Sequence, residues 1–407
     1  MILDGIRVLD FTQYLAGPSA TRLMAEMGAE IIKIEPGPRG DPGRAIPMVR
    51  DGRSGFFVQQ NRGKKSLCLD LNSSRSHELV KKIAAEVDVI IENFGPGVMD
   101  KRGLTYDAFA AINPSVIMAS ISAFGRQSPL AHLNGYDWIA QAFSGLMYTT
   151  GPTDGTPHPV GIGICDANAG VHGFAAIGYA LVHKLRTGEG QYLDLSMVDA
   201  IYHMHEYNVH GRSVAGPDYK AVRMGAHHNL IAPFGIFKGP QGYLVIGVLE
   251  LQWPRFCEAM GRTDLKEDPR FASNAERSKH RDQLIDIVEA WARGFPTDQK
   301  LLEHLESHRV PSAPVMDPID TLDHPYYRER GMVREVFDRV LGKVEVPGLP
   351  FKFSAQPEVL EAEAPLLGEH NQEILAEFTG LSTDEIETLV AEQVLFSEPE
   401  PPIASAQ

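Results

Sequence analysis

The sequence lacks the features that bring a disulfide framework, a structural metal or a membrane span. Its 407 residues include three cysteines, Cys68, Cys165 and Cys257, and no CxxC pair. This pattern favours a reducing compartment and predicts no bound metal. No apolar run reaches the roughly 20 residues that a membrane helix needs. The start, MILDGIRVLDF, has neither the basic region nor the apolar core of a signal peptide. We therefore expect a cytoplasmic protein.

Positive charge is also scarce. The chain has 38 Lys and Arg against 53 Asp and Glu, a net charge of −15, which argues against nucleic acid as a partner because such binding needs a basic surface. Two local basic groups exist, Asn61 to Lys65 (NRGKK) and the pair Lys101 and Arg102. They are open to two interpretations, a solvated face or a grip on phosphate groups.

Several catalytic motifs are missing too. The sequence contains no HExxH, no GxSxG and no Walker loop, so a zinc protease, an α/β-hydrolase and an NTPase lack support. The loop after the first predicted strand reads TQYLAGP and has no GxGxxG fingerprint. A nicotinamide-dependent dehydrogenase is therefore not favoured.

What the sequence does contain is a regular alternation of strands and helices. IRVLDF, EIIKIEP, KSLCLDL, DVIIENF and SVIMASISAF read as strands, and helical patterns stand between them. Such alternation predicts parallel strands, and about the first 125 residues read as an open α/β sheet of Rossmann type.

The later chain predicts a second, smaller domain. FGIFKGPQGYLVIGV reads as a hairpin that turns at Gly239 to Gly242, and three helical segments follow it. We predict a large domain from 1–210 and 330–395, a small α+β domain at 226–325, and a disordered tail at 396–407. Ser382 and Glu385 predict a capping box at the start of a late helix.

One carboxylate stands out in the apolar stretch VGIGICDANAGVHGFAAIGYALVHKL, from Val160 to Leu185. Asp166 precedes a helical pattern rich in small residues, and two interpretations remain open. It caps the helix, or it is a nucleophile that the helix dipole keeps ionised. Both can hold at once.

The histidines of HMHE, His203 and His205 with Glu206, resemble a metal cluster. The pattern around them predicts one helix, in which residues i and i+2 point to different sides. We therefore do not predict a metal there. His227 and His228 are read as loop residues with polar contacts.

Several segments together resemble the class III (CaiB/BaiF, formyl-CoA transferase-like) coenzyme A transferase family. They follow one another in order along nearly the whole chain: LDGIRVLDFTQYLAGPSATRLMAEMGAEIIKIEP, GDPGR, NRGKKSLCLDL, DVIIENFGPGVMDKRGL, SAFGRQSPLAHLNGYDWIAQAFSGLM, GICDANAGVHGFAAIGYAL, TGEGQYLDLSMVDA, FASNAERSKHRDQL and PLLGEHNQEIL.

The resemblance implies a fold and a reaction. It implies a Rossmann-like large domain built from both chain ends, a smaller middle domain, and a homodimer of two interlocked ring-like chains. The family's catalytic aspartate falls on Asp166. It would carry CoA from an acyl-CoA thioester to a free carboxylic acid through an aspartyl-CoA intermediate. CoA is then a substrate, and no permanently bound cofactor is expected.

The resemblance also carries over contact residues. CoA contacts are expected at Tyr14, Leu15, Ala16, Asn93, Phe94, Lys101 and Arg102. Tyr136 matches a tyrosine of the transferases. Arg44, Arg53, His227, His228 and Glu250 are further candidates for the acyl pocket.

At some positions this sequence differs from particular branches of the family. The oxalate-using transferases have an arginine at Lys101, a glutamine at Leu15 and a glycine-rich loop at GVLELQW, which argues against an oxalate or formate substrate. The alternative is a 2-methylacyl-CoA racemase, a related family whose catalytic histidine falls on Tyr136. A phenol is a poor base at neutral pH, but Glu250 with Gln252 resembles a racemase segment and His132 is close by. A non-catalytic CoA-binding protein is disfavoured by the presence of Asp166.

Overall fold

The fold is that of a computed structural model, which describes residues 1–355 and 362–399. The chain divides into two compact units. The first comprises Met1–Gly145, Val160–Glu206 and Pro325–Gln407, and the second comprises Leu146–Pro159 and Tyr207–His324. The boundary predicted at residue 210 therefore differs from the observed one, and residues 146–159 belong to the second unit.

The strands of the described residues are short. They are β1 Arg7–Asp10, β2 Glu30–Pro36, β3 Val49–Arg50, β4 Arg53–Ser54, β5 Lys64–Leu69, β6 Val89–Glu92, β7 Ile117–Ser122, β8 Gln191–Ser196, β9 Phe234–Lys238, β10 Tyr243–Gly247, β11 Ser312–Pro314, β12 Val333–Asp338 and β13 Gly342–Pro347.

The helices of the described residues are given next, in chain order. They are α1 Ala16–Glu26, α2 Gly55–Asn61, α3 Ser74–Ala84, α4 Val98–Lys101, α5 Tyr106–Ala110, α6 Asp137–Phe143, α7 Leu146–Thr149, α8 Ile164–Thr187, α9 Met197–Tyr202, α10 Asn208–Ala215, α11 Trp253–Ala259, α12 Asn274–Lys279, α13 Arg281–Ala292, α14 Asp298–Ser307, α15 Pro325–Glu329, α16 Asn371–Thr379 and α17 Thr383–Ala391. Single 3₁₀ turns lie at Pro42–Ala45, Glu250–Gln252 and Thr263–Lys266.

The first unit is organised by a parallel six-stranded sheet in the order β5-β2-β1-β6-β7-β8. The order reverses between β1 and β6, as in a doubly wound Rossmann sheet, and ligands of such sheets bind at this switch point. The predicted α/β class is confirmed. The central strand β6 (VIIE) is buried throughout, as expected of a strand inside a parallel sheet.

The second unit contains the predicted hairpin. Strands β9 and β10 pair antiparallel, with Tyr243 opposite Lys238, and β11 adds to the other side of β10. Helices α11, α13 and α14 supply much of its separate apolar core, including Phe256, Leu284 and Leu301.

Two local predictions turn out differently. The helix expected to run through the HMHE motif ends at Tyr202, with His203 at its C-terminal cap. The tail predicted as disordered begins with held residues, because the N–H groups of Phe396 and Glu398 donate to Cys68 O and Leu367 O. Residues 400–407 lie outside the described part. The capping box of Ser382 and Glu385 is confirmed.

A search of the described helices for one long and apolar enough to span a bilayer finds none.

Helices α1 and α8 pack unusually close, at Gly170. A methyl group added there would lie 2.5 Å from Ala16 O and 2.7 Å from Ser19 Cβ. Because the first of these atoms is backbone, α1 would have to move. Gly170 therefore permits the close approach of α1 to α8, the helix that carries Asp166.

We expect G170A to destabilise the protein by about 1–3 kcal/mol through this overpacking. G178A in the same helix adds a methyl that meets no atom within 4 Å, and it should stabilise by about 0.5–1 kcal/mol through helix propensity. Denaturant unfolding of both variants measures the difference. Equal effects would contradict the close approach of α1 to α8.

Candidate active site

A cavity of about 260 Å³ opens at the switch point of the sheet. Its walls come from the first unit alone: the loops after β1 and β6, the end of β7, the segment before α6, and the start of α8. The lining residues are Gln13, Tyr14, Leu15, Ala16, Asn93, Phe94, Gly95, Pro96, Ile121, Ser122, Ala123, Arg126, Leu133, Asn134, Gly135, Tyr136, Asp166 and Met197. Asp166 and the candidates Tyr14, Leu15, Ala16, Asn93, Phe94 and Tyr136 thus share one cavity.

Asp166 is the third residue of α8. The residue at the N-terminal cap is Gly163, so the interpretation of Asp166 as the cap is wrong. The carboxylate is partly buried, and no hydrogen bond to it forms within the described residues. It therefore faces the cavity without a donor of its own.

A second carboxylate does the capping. Asp137 Oδ1 accepts the N–H groups of Cys165 at 2.7 Å and Asp166 at 3.2 Å. Asp137 Oδ2 accepts from Gln141 Nε2 at 2.6 Å, and Gln141 Oε1 accepts from Val160 N at 2.8 Å. This chain of bonds fixes both the start of α8 and the segment before it.

The electrostatics of Asp166 differ from those expected at a bare helix start. Burial, and after it the negative charge of Asp137, raises the pKa of Asp166 to about 7. A helix dipole contributes about 0.3–1 kcal/mol at its end, and the donors that express it here are already bound by Asp137. Burial and Asp137 therefore oppose the expected effect of the helix dipole, which was to keep Asp166 ionised.

Buried ion pairs hold the loop after β1. Lys33 Nζ lies 2.8 Å from Asp41 Oδ2 and donates to Thr12 O at 2.6 Å. Asp41 Oδ1 in turn accepts from Tyr14 N at 3.1 Å. Tyr14 has φ +61°, a left-handed conformation that costs a non-glycine residue about 1–2 kcal/mol. The ion pair stabilises it in that conformation.

Beneath the same loop lies a second pair. Asp10 Oδ2 is 3.2 Å from Lys64 Nζ, and Asp10 Oδ1 accepts from Thr12 N at 2.8 Å. Both Asp10 and Lys64 are buried, and burial lowers the pKa of Lys64 to about 8. Lys64 of the NRGKK cluster therefore has a structural role and does not lie on a solvated face.

Asn93 joins the two loops that flank the switch point. Its Oδ1 accepts from Gln13 N at 2.7 Å, and its Nδ2 donates to Gln13 O at 2.8 Å. The rings of Tyr14 and Tyr136 meet edge to face at 6.2 Å between centroids. Tyr136 is 71% exposed, so this aromatic pair forms an outer wall of the cavity.

Lys101 and Arg102 do not line this cavity. Arg102 Nε donates to Leu71 O at 2.8 Å, and its guanidinium lies 6.0 Å from the Phe94 ring centroid. Lys101 is exposed at the end of α4. Their predicted role at the phosphates of CoA remains a prediction.

Arg44 and Arg53 have structural partners instead of a place in the cavity. Arg44 forms a two-pronged pair with Glu35, at 2.8 and 2.6 Å, above the ring of Phe57. Arg53 Nη2 donates to Asp338 Oδ2 at 2.8 Å. The geometry gives no support to their prediction as acyl contacts.

Three further candidates lie in the second unit. His228 Nδ1 accepts from Leu230 N at 3.1 Å. The ring of His227 lies 4.9 Å from that of Phe237. Glu250 Oε2 accepts from Arg277 Nη2 at 2.6 Å, a partner that is fully buried. Their roles as substrate contacts remain predictions.

The two histidines of the HMHE motif have different partners. His203 Nε2 lies 2.9 Å from His172 Nε2, whereas His205 Nε2 contacts Ser144 O at 2.8 Å. Within residues 1–355 and 362–399 no group of three His, Cys, Asp or Glu residues could hold a metal ion.

Sequence reasoning missed Asp137, Gln141 and Arg126. Asp137 and Gln141 lie four residues apart on α6, and the quoted run DWIAQAF already paired a carboxylate with an amide on one helix face. Arg126 is, among the described residues, the one basic side chain in the cavity lining. Nothing in its neighbourhood in the sequence signalled that position.

The raised pKa of Asp166 predicts how stability changes with pH. Unfolded, the carboxyl returns to its ordinary pKa near 3.8, and folded it titrates at about 7. Between these values the folded state binds more protons, so ionisation of Asp166 lowers the free energy of unfolding as pH rises. D166N should therefore gain stability over the wild type progressively from pH 4 to 7 and then level off, by on the order of 2–4 kcal/mol.

Thermal unfolding across this pH range measures the gain. D199N, which removes an exposed carboxylate from the first turn of α9, is the control. An equal gain in both variants at every pH would count against a perturbed Asp166.

Comparison with known proteins places the chain among CoA-transferases. The sequence profile described as CoA-transferase family III matches residues 3–371. The chain is 33% identical to succinyl-CoA--D-citramalate CoA-transferase of Chloroflexus aurantiacus, over 97% of this chain and 98% of the relative. It is 36% identical to succinyl-CoA:mesaconate CoA-transferase of Haloarcula hispanica, over 95% and 99%.

The solved structures agree. A CaiB/BaiF family protein from Brucella suis superposes with a TM-score of 0.81 at 33% identity, covering 92% of this chain and 99% of that one. With the whole sequence and the fold both matched, the chain belongs to CoA-transferase family III, the CaiB/BaiF family, and is a CoA-transferase.

Proposed function

We propose that this enzyme moves CoA from an acyl-CoA thioester to a free carboxylic acid through a covalent aspartyl-CoA thioester on Asp166. One observation carries the proposal. Asp166 is a partly buried carboxylate with no hydrogen-bond donor of its own among the described residues, and it faces a cavity at the switch point of the sheet. Such a carboxylate is poorly solvated and free to attack.

The reaction balances without a metal or a general base. The Asp166 carboxylate attacks the thioester carbonyl, which forms a mixed anhydride and releases CoA thiolate. The thiolate attacks the aspartyl carbonyl of that anhydride, and the donor acid leaves as its carboxylate. The acceptor carboxylate then attacks the aspartyl-CoA carbonyl, which forms a second mixed anhydride and releases CoA thiolate. The thiolate attacks the acceptor's carbonyl in this anhydride and forms the new acyl-CoA. Asp166 ends as a carboxylate again.

The surroundings of Asp166 suit these steps. A mixed anhydride must be kept from bulk water, because it would otherwise hydrolyse, and the partly buried position of Asp166 limits the access of water to it. The N–H groups of Cys165 and Asp166 are bound by Asp137 and are unavailable to a developing oxyanion. The N–H group of Ala16, the first of α1, borders the same cavity and has no acceptor inside its helix. We assign it to the oxyanion.

A racemase is not proposed. It would need a second base across the substrate α-carbon from Asp166, and Tyr136 stands at that place in the sequence. His132, the nearby candidate, lines a neighbouring cavity of about 630 Å³ instead of the one that holds Asp166.

A covalent adduct tests the mechanism. Incubation with acyl-CoA donors at pH 8, where Asp166 is mostly ionised, should add the mass of CoA less one water to the peptide that contains Asp166. Succinyl-CoA is the first donor to use, because it stands in the names of two relatives reported above. D166A should show no adduct, and D199N should show it in full.

Mass spectrometry of the digested protein makes the measurement, and hydroxylamine should release the adduct. An adduct that persists in D166A would contradict Asp166 as the nucleophile. Deuterium uptake at the substrate α-carbon in heavy water, with no adduct from any donor, would support the racemase.

We further propose a homodimer. Large apolar side chains on the first unit are left exposed: Tyr179 and Leu185 of α8 are 79% and 83% exposed, and Trp138 of α6 is 63% exposed. Exposure of this kind marks a surface that another chain covers, and the family resemblance makes a second copy the expected occupant. Light scattering after gel filtration should give twice the 44.8 kDa chain mass, and a monomer at micromolar concentration would contradict the proposal.

A further inference from the structure

Strand β5 is an outer strand of the six-stranded sheet, and its free side is bound by the C-terminal segment, residues 362–396. Ser66 O accepts from His370 N at 3.0 Å, and Cys68 O accepts from Phe396 N at 3.1 Å. The N–H group of Cys68 donates to Asn371 Oδ1 at 2.9 Å. Side chains and backbone of the C-terminal segment thus satisfy groups that an edge strand would leave unpaired.

The N–H group of Ser66 has an imidazole as its acceptor. Ser66 is fully buried, and its N donates to His370 Nδ1 at 3.2 Å. A backbone N–H can only donate, so Nδ1 must offer its lone pair, and the neutral ring carries its proton on Nε2. Protonation of Nδ1 would set two donors against each other and break this hydrogen bond.

The surroundings keep the ring neutral. Burial has the largest effect on His370 and lowers its pKa below the ordinary 6.5. The charged side chains that act on the ring come from α16 and the residue pair before it, from β5, and from the turn between β12 and β13: Glu369, Glu373, Lys65 and Arg339. They nearly cancel, because Lys65 pairs with Glu373 at 2.6 Å and Arg339 pairs with Glu369 at 2.7 Å.

The sign of the pH effect follows from this pKa. The unfolded chain protonates His370 at its ordinary pKa, and the folded chain does so only at a lower pH. Below about pH 6.5 the unfolded state therefore binds more protons, and the contact loses stability as pH falls.

Ser66 connects this contact to the loop that lines the cavity. Its Oγ donates to Glu35 Oε1 at 2.7 Å and accepts from Gly368 N at 2.9 Å. Glu35 Oε2 accepts from Asp41 N at 2.9 Å, and Asp41 Oδ1 accepts from Tyr14 N at 3.1 Å. A continuous chain of hydrogen bonds therefore runs from the C-terminal segment to the cavity wall.

The end of this chain is the part of the wall that most needs support. Tyr14 has φ +61°, and a residue in such a conformation persists only where its surroundings hold it there. Leu15 and Ala16, which follow it, line the cavity with Asp166. A shift of Asp41 would therefore move the backbone beside the proposed nucleophile.

We propose that His370 is a positioning residue whose neutral ring holds the C-terminal segment on β5 and, through Ser66 and two buried carboxylates, fixes Tyr14 in the cavity wall. Protonation of the ring releases this hold. The effect on catalysis rests on the proposed function, whereas the hydrogen bond and its dependence on pH do not.

Two variants separate the acceptor from its proton. H370N places an amide oxygen, Oδ1, at the position of Nδ1 along the side chain, where it can accept from Ser66 N and cannot be protonated. H370A leaves the buried N–H group of Ser66 without an acceptor, which is costly. H280N is the control, because it makes the same substitution at a part-buried histidine of the second unit, whose Nδ1 contacts Glu276 O at 3.0 Å.

Hydrogen exchange at the Ser66 amide, followed by mass spectrometry of short peptides, tests the contact without substrate. At pH 8 exchange in H370A should be about 10- to 100-fold faster than in the wild type, the cost of an unpaired buried N–H group. H370N and H280N should exchange like the wild type. Between about pH 7 and pH 5 the wild type should lose protection relative to H370N, because only the imidazole takes up a proton in this range.

Transfer kinetics test the link to the cavity. At pH 8 the kcat/KM for acyl-CoA should fall about 10-fold or more in H370A, since a displacement of about 1 Å at a reacting group can cost about 100-fold. H370N should retain the wild-type value. The titration of Asp166 is common to both proteins, so the ratio of wild-type to H370N kcat/KM should decrease as pH falls, a change that a purely structural histidine would not produce.

The outcomes separate the parts of the proposal. Unchanged exchange at Ser66 in H370A overturns the contact, and equal losses in H370N and H370A at every pH overturn the role of the acceptor. Faster exchange in H370A with unaltered transfer overturns the link to the cavity. Faster exchange in H370A beside a wild type that forms no Asp166 adduct supports the contact and counts against the proposed function alone. If H370A does not fold, the comparison of the wild type with H370N across pH carries the same test.

Discussion

A single carboxylate oxygen, Asp137 Oδ1, accepts the N–H groups of both Cys165 and Asp166. This contact fixes the direction in which α8 begins, and with it the place of the Asp166 side chain. It also adds a negative charge beside Asp166, whose ionised form is already destabilised by burial. The proposed nucleophile, Asp166, is therefore held in position by the same group that makes its ionised form less stable.

The loop after β1, which also lines the cavity, depends on buried charged side chains. Lys33 with Asp41, and Lys64 with Asp10, support the backbone after β1 from below. Asn93 then ties this loop to the one after β6 across the switch point. Buried pairs of this kind contribute little net stability but cost several kcal/mol when one partner is removed. These pairs fix the position of the loop that forms part of the cavity wall.

Much of this architecture was readable from the sequence, and the reasons are local. EIIKIEP coincides with β2 because an apolar run of strand length ends at a proline. The helical pattern rich in small residues around Asp166 predicted a helix, and α8 is found there, with Ala16 O close to Gly170. The helix through HMHE was extended too far because its periodicity continues past the cap at His203.

The contacts that the sequence analysis did not predict have another physical origin. Asp137 acts on residues 28 and 29 positions further along the chain, and Arg44, in the turn that follows β2, folds back onto Glu35 of that strand. Such pairings depend on how the sheet is folded, and no local pattern encodes them. The raised pKa of Asp166 also depends on the folded structure, since its largest cause is burial, which the sequence does not report.

The edge of the sheet at β5 has a consequence for biosynthesis. Leu69 bridges Leu395, and Phe396 N donates to Cys68 O, so the last described residues cover a strand formed near the start of the chain. During translation about 330 residues separate these partners, which at 5–20 residues per second amounts to roughly 15–65 s. For that time the nascent sheet presents an uncovered edge strand, the kind of surface that pairs with other chains. Correct pairing of this edge therefore has to wait until the segment around Leu395 has been synthesised.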